Sequence, residues 1–425
     1  MKYSSAVRTI LAACLALLAD AALAVPSFSR QSNMPCSACH TAPPQLTAFG
    51  RTFKATAYTL TASEQLGDKR GERVSLELAP AAPLSVQVIA SYTAVRARGA
   101  GDRSGDVALP DQLGLFYAGR IAPGAGAFAQ VTYAGDADHF SMDNMDIRYA
   151  RDLKPRGRSL VVGATLNNNP TAQDLWNSTP AWGWPFVTSG SWPGQGTDSA
   201  LVDGQLAQTV AGATVYAFLD ETVYAEAGLY RSAPLGVTRP LNQETPGLID
   251  NAAPYWRLAL QREVGGHQFE IGTYGLHASV KPGGASAPPG GYGASDTFTD
   301  VALDAQWQYQ SSVAAAIRAT WIHEWRDLDA SWPGERPRLN TLRLSGDVYW
   351  DWVGLGAGLF HTGSTTSSAF TNGSADTTGG MAELVLRPWD NTSLRAQLTH
   401  YSRMDGVSSG ASDSDAFSLI AWILF

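Results

Sequence analysis

From about Val74 onward, apolar residues alternate with small or polar ones over runs of roughly ten positions, a pattern suited to tilted membrane-spanning strands. A period of two sends successive side chains to opposite faces of a strand. Residues 84 to 95 put Leu84, Val86, Val88, Ala90 and Tyr92 on one face, with Ser85, Gln87, Ser91 and Thr93 on the other. Residues 301 to 309 put Val301, Leu303, Ala305, Trp307 and Tyr309 outward and Asp304, Gln306 and Gln308 inward. Residues 342 to 350 repeat the scheme with Leu342, Leu344, Val348 and Trp350 against Arg343, Asp347 and Tyr349. Residues 394 to 401 do so with Leu394, Ala396 and Leu398 against Arg395, Gln397 and Thr399. A soluble sandwich also alternates, but its outer face is charged. Here that face is greasy.

The connections alternate in length. Tight turns such as "APGAGA" (122 to 127), "VGGH" (264 to 267) and "DWVG" (351 to 354) separate hairpin partners, and long polar segments follow them. Short turns at one end and long loops at the other are the habit of outer-membrane barrels. Trp256, Trp307, Trp321, Trp325, Trp350 and Trp389 fall where an interfacial girdle would sit. The final strand, "AFSLIAWILF", alternates Phe417, Leu419, Ala421, Ile423 and Phe425 in the manner of a barrel assembly signal. The expected fold is all-β: an antiparallel transmembrane β-barrel of about 16 strands over residues 71–425, with residues 71 to 78 as an approach segment. An even count returns the C-terminus to the side where the N-terminus began, expected to be the periplasm.

Residues 1–24 read as a signal peptide. Lys2 and Arg8 form a basic start, Ile10 to Leu18 an apolar core, and Ala22-Leu23-Ala24 a cleavage site. The stretch Leu11 to Cys14 also fits a lipoprotein box, but the apolar run continues past it. No later stretch is long and apolar enough for a membrane helix. A net charge of −8 with no basic run argues against nucleic acid. Only 16% of residues are charged, against 13 Trp and 15 Tyr, which suits a wall that meets lipid.

After cleavage the chain would keep two cysteines, Cys36 and Cys39, followed at once by His40. C-x-x-C-H is the attachment signature of c-type haem: two thiols form thioethers and the histidine becomes a proximal iron ligand. One covalently attached c-type haem is therefore expected, held by Cys36 and Cys39 with His40 on its iron. A CxxC disulfide beside an incidental histidine is the alternative. Spacing does not rank a distal ligand among Lys54, Tyr58, Met142, Met145 and the six other histidines, and a five-coordinate iron is also allowed.

"PSFSRQSNMPCSACHTAPPQLTAFGRTFKATAYTL" resembles the head of the fused outer-membrane cytochrome–porins of iron-oxidising bacteria. The matching positions are Arg30-Gln31, Cys36, Cys39, His40, Pro44, Leu46, Phe49-Gly50-Arg51, Phe53-Lys54 and Tyr58, with Ala57 where that family usually has Gly. "NNNPTAQDLWNSTPAWGWPF" (167 to 186) is similar to one of its long loops. The resemblance implies a monohaem domain, residues 25–70, ahead of a porin-like barrel. It also implies electron transfer from an extracellular donor, best known as Fe(II), to a periplasmic acceptor such as a soluble cytochrome c.

A haem peptide of this size buries little core alone, and a barrel this wide would leave an aqueous channel if empty. Residues 25 to 70 are therefore expected in the lumen, where Arg51 and Lys54 would meet haem propionates or inward carboxylates such as Asp304 and Asp347. An outer-sphere reaction needs no protein acid or base. Asp136, Asp138, His139 and Asp143, on an expected outer loop, are candidates for a transient Fe(II) contact, with the solvated loop as the bland reading. Trp176, Trp182, Trp184 and Trp192 are expected to fold and anchor the long loop. Two other functions fit the residues: a haem-plugged transport channel without donor oxidation, and a soluble periplasmic β-protein with a redox CxxC.

Overall fold

The structure is a computed structural model that describes residues 25–62, 82–96, 105–233, 247–250, 252–282, 293–389 and 391–425. The expected signal peptide, the approach segment at 71 to 78 and the domain boundary at residue 70 lie outside the described residues.

Sixteen antiparallel strands form one closed ring. The first six are β1 (Leu84–Val95), β2 (Asp106–Ala122), β3 (Ala125–Ala134), β4 (His139–Asp152), β5 (Leu160–Asn167) and β6 (Val210–Leu219). The next five are β7 (Val223–Ser232), β8 (Ala253–Val264), β9 (His267–Pro282), β10 (Asp296–Gln310) and β11 (Val313–Asp327). The last five are β12 (Arg338–Trp350), β13 (Val353–Ser364), β14 (Thr377–Trp389), β15 (Thr392–Arg403) and β16 (Ala416–Leu424). β16 closes the ring on β1 from Ala416 opposite Val95 to Leu424 opposite Gln87. A short segment, Gly247–Ile249, pairs with residues 280–282 of β9 beyond the span of β8, and its Ile249 N–H donates to the Ser232 hydroxyl of β7 at 2.8 Å.

The barrel is inside-out relative to a soluble protein. Leu344 and Leu359 are 47% and 64% exposed on its outer wall, while Arg257 and Glu324 are fully buried inside. A lipid-facing exterior reconciles exposed leucines, isoleucines and valines along the outer wall with buried arginine and glutamate inside. The faces expected at residues 84 to 95, 301 to 309, 342 to 350 and 394 to 401 are the faces observed: Ser85, Gln87, Asp304, Gln308, Asp347, Arg395 and Gln397 all point inward. This is a porin-like β-barrel of the outer-membrane type.

Hairpin turns of two or three residues join β2–β3, β6–β7, β8–β9, β10–β11, β12–β13 and β14–β15 at one end. Gly265 and Gly266, at φ +58° and +80°, make the two-residue turn between β8 and β9 that primed hairpins require. Both β1 and β16 meet at this same end, where Val86 and Phe425 exchange two backbone hydrogen bonds of 2.7 and 2.8 Å. The opposite end carries the long connections, with one departure: β3 and β4 are joined there by only residues 135 to 138. A second departure is Trp321, which lies in the middle of β11 between Leu303 and Leu342 and so is not part of a rim girdle.

Two bodies fill the lumen. The first is the plug of residues 25 to 62. Its helix α1 (Pro26–Ser32) starts on a proline and ends at Asn33 in the left-handed conformation, φ 53°. A single turn, α2 (Cys36–Cys39), follows, then α3 (Ala48–Ala55), whose cap Thr47 accepts from the Gly50 N–H at 3.1 Å. Phe28, Phe53 and Tyr58 pack with ring centroids 5.1 to 5.9 Å apart. That trio is too little to hold a fold by itself, and the barrel wall supplies the rest. Ser27 and Gln31 donate to the Ala118 carbonyl of β2 at 2.9 and 2.8 Å. Tyr216 of β6 donates to the Ala55 carbonyl at 2.6 Å, and Gln45 donates to Asp347 of β12 at 3.1 Å.

The second body is the connection between β5 and β6, residues 168 to 209, which turns inward. Its Asp174 meets Arg257 of β8 at 3.0 Å, and Arg257 also pairs with Asp304 at 2.9 Å and Glu270 at 3.3 Å. Gly272, between β8 and β10 in register, leaves the space this cluster occupies, since a methyl there would strike Asp304 and Glu270. The tryptophans anchor the connection in the lumen rather than at lipid. Trp176 donates to Gln261 at 2.9 Å, Trp182 to the Ala172 carbonyl at 3.0 Å and Trp192 to Thr399 at 3.0 Å, while Trp184 packs over Gly358.

Candidate functional site

The C-x-x-C-H stretch is held by its own neighbours. Cys36 and Cys39 stand one helical turn apart in α2, which sets both side chains on one face. His40 then opens a short ribbon, paired with Leu46. The Thr47 N–H donates to the Cys39 carbonyl at 2.9 Å, and the Thr47 hydroxyl to the Ala38 carbonyl at 2.7 Å. Helix α3 lies so close to this turn that a methyl at Gly50 would overlap the Cys39 carbonyl oxygen. The glycine of "FGR" is thus a packing requirement of the motif.

The two thiols are not joined in a disulfide. Burial pushes the Cys39 thiol up to about 11. Burial lowers the His40 imidazole to about 4, the backbone of Gln45 and Pro44 working against it and the Lys54 charge with it. His40 is therefore neutral at pH 7, the state that can ligate a metal. Its Nδ1 is buried with no hydrogen-bond partner among the described residues.

His40 stands between two cavities. One, of about 740 Å³, opens at the short-turn end and is lined by Cys36, His40 and Thr41 from the plug, facing Tyr349, Trp352 and Arg387 from the wall. The other, of about 380 Å³, lies on the opposite side of the plug, between apolar Ile89, Phe116, Phe128 and Trp422 and a polar wall of Gln130 and Asp143. Both volumes fall in the range of about 300–1,000 Å³ usual for bound cofactors. Paired thiols on one face, a neutral histidine with an unpartnered nitrogen and adjoining space fit a covalently attached haem.

The basic residues of the plug do other work than expected. Arg51 does not reach Asp304 or Asp347; its guanidinium donates to the Leu46 carbonyl at 2.6 Å, Gln308 at 3.0 Å and Gln268 at 2.6 Å. Burial lowers it to about 10, with Glu270 and more distant carboxylates opposing. Lys54 meets no carboxylate oxygen either. Its ammonium donates to the carbonyls of Ala172 at 2.9 Å and Asp174 at 2.6 Å and to the Asn177 amide oxygen at 3.0 Å, and lies 4.6 Å from the Trp182 ring centroid. Burial lowers it to about 7, helped by Arg148 and opposed by Asp146, Asp174 and Glu226. Arg51 ties the plug to β9 and β10, and Lys54 ties it to the inward loop, so neither is placed as a propionate contact. Asp304 is taken by Arg257 and Asp347 by Arg318 and Gln45.

The four residues of the outer segment are not gathered into one site. Asp136 and Asp138 are exposed at the hairpin tip, with Asp138 accepting from Tyr133 at 2.7 Å. His139 begins β4, and Asp143 lies inside that strand, accepting from Thr132 at 3.0 Å. Among the described residues no group of three or more His, Cys, Asp or Glu side chains is placed to hold a metal ion. The strand starts earlier than the acidic composition suggests, and a register shift against β3 between Ala129 and Val131 falls opposite Asp143. Of the four, Asp143 alone lines a cavity shared with His40.

Sequence reasoning missed how the plug is docked on β4. Tyr58 donates to Asp146 at 2.6 Å, and Arg148 pairs with the same oxygen at 2.6 Å. The inward parity of Asp146 and Arg148 in "DNMDIRYARD" carried a signal, but nothing in it named Tyr58 as the partner.

No protein-family profile matches the chain. No curated protein matches it. Solved structures do, as barrels. Salmonella typhi OmpF in complex with daunomycin aligns at 12% identity and a TM-score of 0.48, over 80% of this chain and 97% of that one. A loop L8 deletion mutant of OmpT, an outer membrane protein of Vibrio cholerae, aligns at 12% identity and a TM-score of 0.47, over 80% and 98%. A mutant of the Rh. blastica porin aligns at 10% identity and a TM-score of 0.44, over 80% and 99%.

Proposed function

We propose that the chain is an outer-membrane cytochrome fused to a porin-like barrel, carrying electrons from an extracellular donor, Fe(II) by preference, to a periplasmic acceptor such as a soluble cytochrome c. The observation that carries this reading is the position of His40, with the larger cavity opening at the short-turn end on one side and the smaller cavity, ending at Gln130 and Asp143, on the other. With the short turns at the periplasm, a redox centre held here meets a soluble acceptor at the barrel mouth. A donor enters from the opposite end.

A haem bound at Cys36 and Cys39 would supply reversible one-electron chemistry. The chain's own residues do the rest. His40, neutral and buried, offers a nitrogen to the iron. Arg51, Lys54 and Tyr58 fix the plug against the wall, so the bore is closed while charge passes and Fe(III), which precipitates near neutral pH, forms outside the periplasm. The second cavity holds hard oxygen donors, including Asp143, of the class that contacts Fe(II) in passing.

The test uses purified, full-length protein from a host with working cytochrome maturation. Covalent haem should survive denaturing electrophoresis, and added Fe(II) should convert the oxidised absorption spectrum to the reduced one within seconds. A colourless protein would end the cytochrome reading. A haem-loaded protein that ignores Fe(II) while its liposomes pass small solutes would establish the channel that the barrel form itself suggests.

A further inference from the structure

On the lipid-facing wall, every second strand from β7 to β15 bears a basic residue near the long-loop end: Arg231, His277, His323, His361 and His400. All five face outward, exposed or half-buried, beside inward residues such as Tyr230, Ile322 and Tyr401. The register sets the four histidines in a row. His277 stands opposite Thr299 and Thr299 opposite Trp325, and His323 lies two residues nearer the short-turn end. His323 leads likewise through Asn340 to Gly363, two residues beyond His361. His361 leads through Thr378 to Arg403, three residues beyond His400 where the register slips. Strands spaced about 4.8 Å apart and tilted by about 40° drift about 4 Å, just over one residue, at each step. A fall of two residues every second strand therefore keeps the row nearly level. Along β11, His323 lies ten residues from Val313, a rise of about 25 Å at that tilt, which is the height of an outer-membrane apolar band. The row thus stands where hydrocarbon gives way to headgroups. Trp325, its ring centroid 4.1 Å from that of His323, is a residue suited to the same boundary.

Each imidazole is braced in one way. Nδ1 meets the Thr299 hydroxyl at 2.8 Å in His277, the Asn340 amide oxygen at 2.6 Å in His323 and the Thr378 hydroxyl at 2.7 Å in His361. In His400 it meets the Asp415 carboxylate, just ahead of β16, at 3.0 Å. Nε2 has no hydrogen bond among the described residues in any of the four. Neighbours along the row are about 12 Å apart, so no two can share a metal ion, which holds its nitrogen ligands at about 2 Å. The charged groups beside the row are Arg338, two residues above Asn340 on β12, Arg403, paired with Asp376 at 2.8 Å, and Asp415, also 3.7 Å from Arg96. Below His400 the outer wall is indented. A groove of about 750 Å³ runs between Leu344, Leu359 and Leu398 over Ala357, Gly380 and Ala382, and it ends at His400.

We infer that Arg231, His277, His323, His361 and His400 form a binding surface for the phosphate groups of anionic lipids in the outer leaflet. A protonated imidazole donates from both nitrogens, so Nδ1 keeps its oxygen partner in the wall while Nε2 reaches a phosphate oxygen. Arg231 adds a permanent charge at the end of the row. The apolar groove ending at His400 can hold an acyl chain, which favours a lipid over a soluble phosphate. Imidazole takes up its proton between about pH 8 and pH 5, so binding strengthens as pH falls. Such binding requires the barrel and not a haem.

The experiment places the full-length chain in phosphatidylcholine nanodiscs with a minor share of brominated phosphatidylglycerol, whose charge is constant over that pH range. Quenching of tryptophan, with Trp325 beside the row, reads the enrichment of this lipid relative to brominated phosphatidylcholine. In the wild type, enrichment should rise several-fold from the alkaline to the acid end. A variant combining His277→Gln, His323→Gln, His361→Gln and His400→Gln should lose that rise. One combining His277→Lys, His323→Lys, His361→Lys and His400→Lys should show high enrichment at both ends. Heat-modifiable migration checks that each variant keeps its barrel. A pH response that survives the glutamine changes would overturn the assignment, as would a folded lysine variant with no enrichment. Abolition of the wild-type response by inorganic phosphate would also overturn it, in favour of a soluble anion.

Discussion

Deleting residues 25 to 62 removes one of the two bodies that fill the bore, and the opening this leaves follows from the strand count. Sixteen strands close the ring. At a spacing of about 4.8 Å and a tilt of about 40°, such a ring has a circumference of about 100 Å and a backbone radius of about 16 Å. Inward side chains take about 5 Å from each wall, half the separation of stacked sheets, which leaves a clear bore roughly 22 Å wide. A helix with its side chains is about 10–12 Å across, so two bodies of that width fill the bore and removing one opens a gap roughly 10 Å wide. The remaining loop should stay in place because Asp174 holds it to Arg257. Liposomes carrying the truncated chain should swell in pentoses and disaccharides, and planar bilayers should show discrete conductance steps. The full-length chain should do neither. A truncated chain that folds as a heat-modifiable barrel yet stays sealed would refute the reasoning, since it would mean the loop and wall close the pore without the plug.

Two further changes probe the lumen. Arg257→Leu leaves Asp174, Glu270 and Asp304 buried around an apolar side chain; breaking a buried pair in this way costs about 3–5 kcal/mol. Thermal unfolding in detergent should fall accordingly and solute leakage should rise, whereas an unchanged midpoint would show the carboxylates are served by water. Lys54 should make plug docking depend on pH. Its docked value, lowered to about 7, lies below its undocked value of 10.5. The undocked state therefore binds more protons between those limits, and docking strengthens as pH rises from about 7 toward 10. The denaturant needed to release the plug, followed by tryptophan fluorescence, should climb over that window in the wild type and stay flat in Lys54→Met; parallel curves would show that the ammonium is hydrated.

The barrel was legible because lipid imposes one rule on every strand. An outward residue such as Leu344 or Leu359 has no way to be polar, so the period of two survives in the sequence of each strand independently. The motif was legible for a different reason: C-x-x-C-H is local, and the Gly50 near it is explained by the close approach of α3. What the sequence hid were the partners of the plug. Which inward residue faces Arg51 depends on the tilt and stagger of all sixteen strands, and the lumen offers many acids. Asp304 looked available until the register set Arg257 beside it across Gly272. The outer acids misled in the same way, because Asp143 belongs to a strand and its neighbours Asp136 and Asp138 to a tip.

The plug's basic residues are better understood as the cost of being small. Fewer than about 50 residues cannot bury their own polar groups against a core of their own, so each must find a partner outside the segment. The ammonium of Lys54 takes three oxygens from the inward loop, and the guanidinium of Arg51 takes two wall glutamines and one plug carbonyl. Once engaged, neither can turn toward a ligand without leaving buried acceptors unmet, at a penalty of about 1–3 kcal/mol for each group. Residues that hold the plug are thereby fixed by the wall and the inward loop rather than by the plug's own fold.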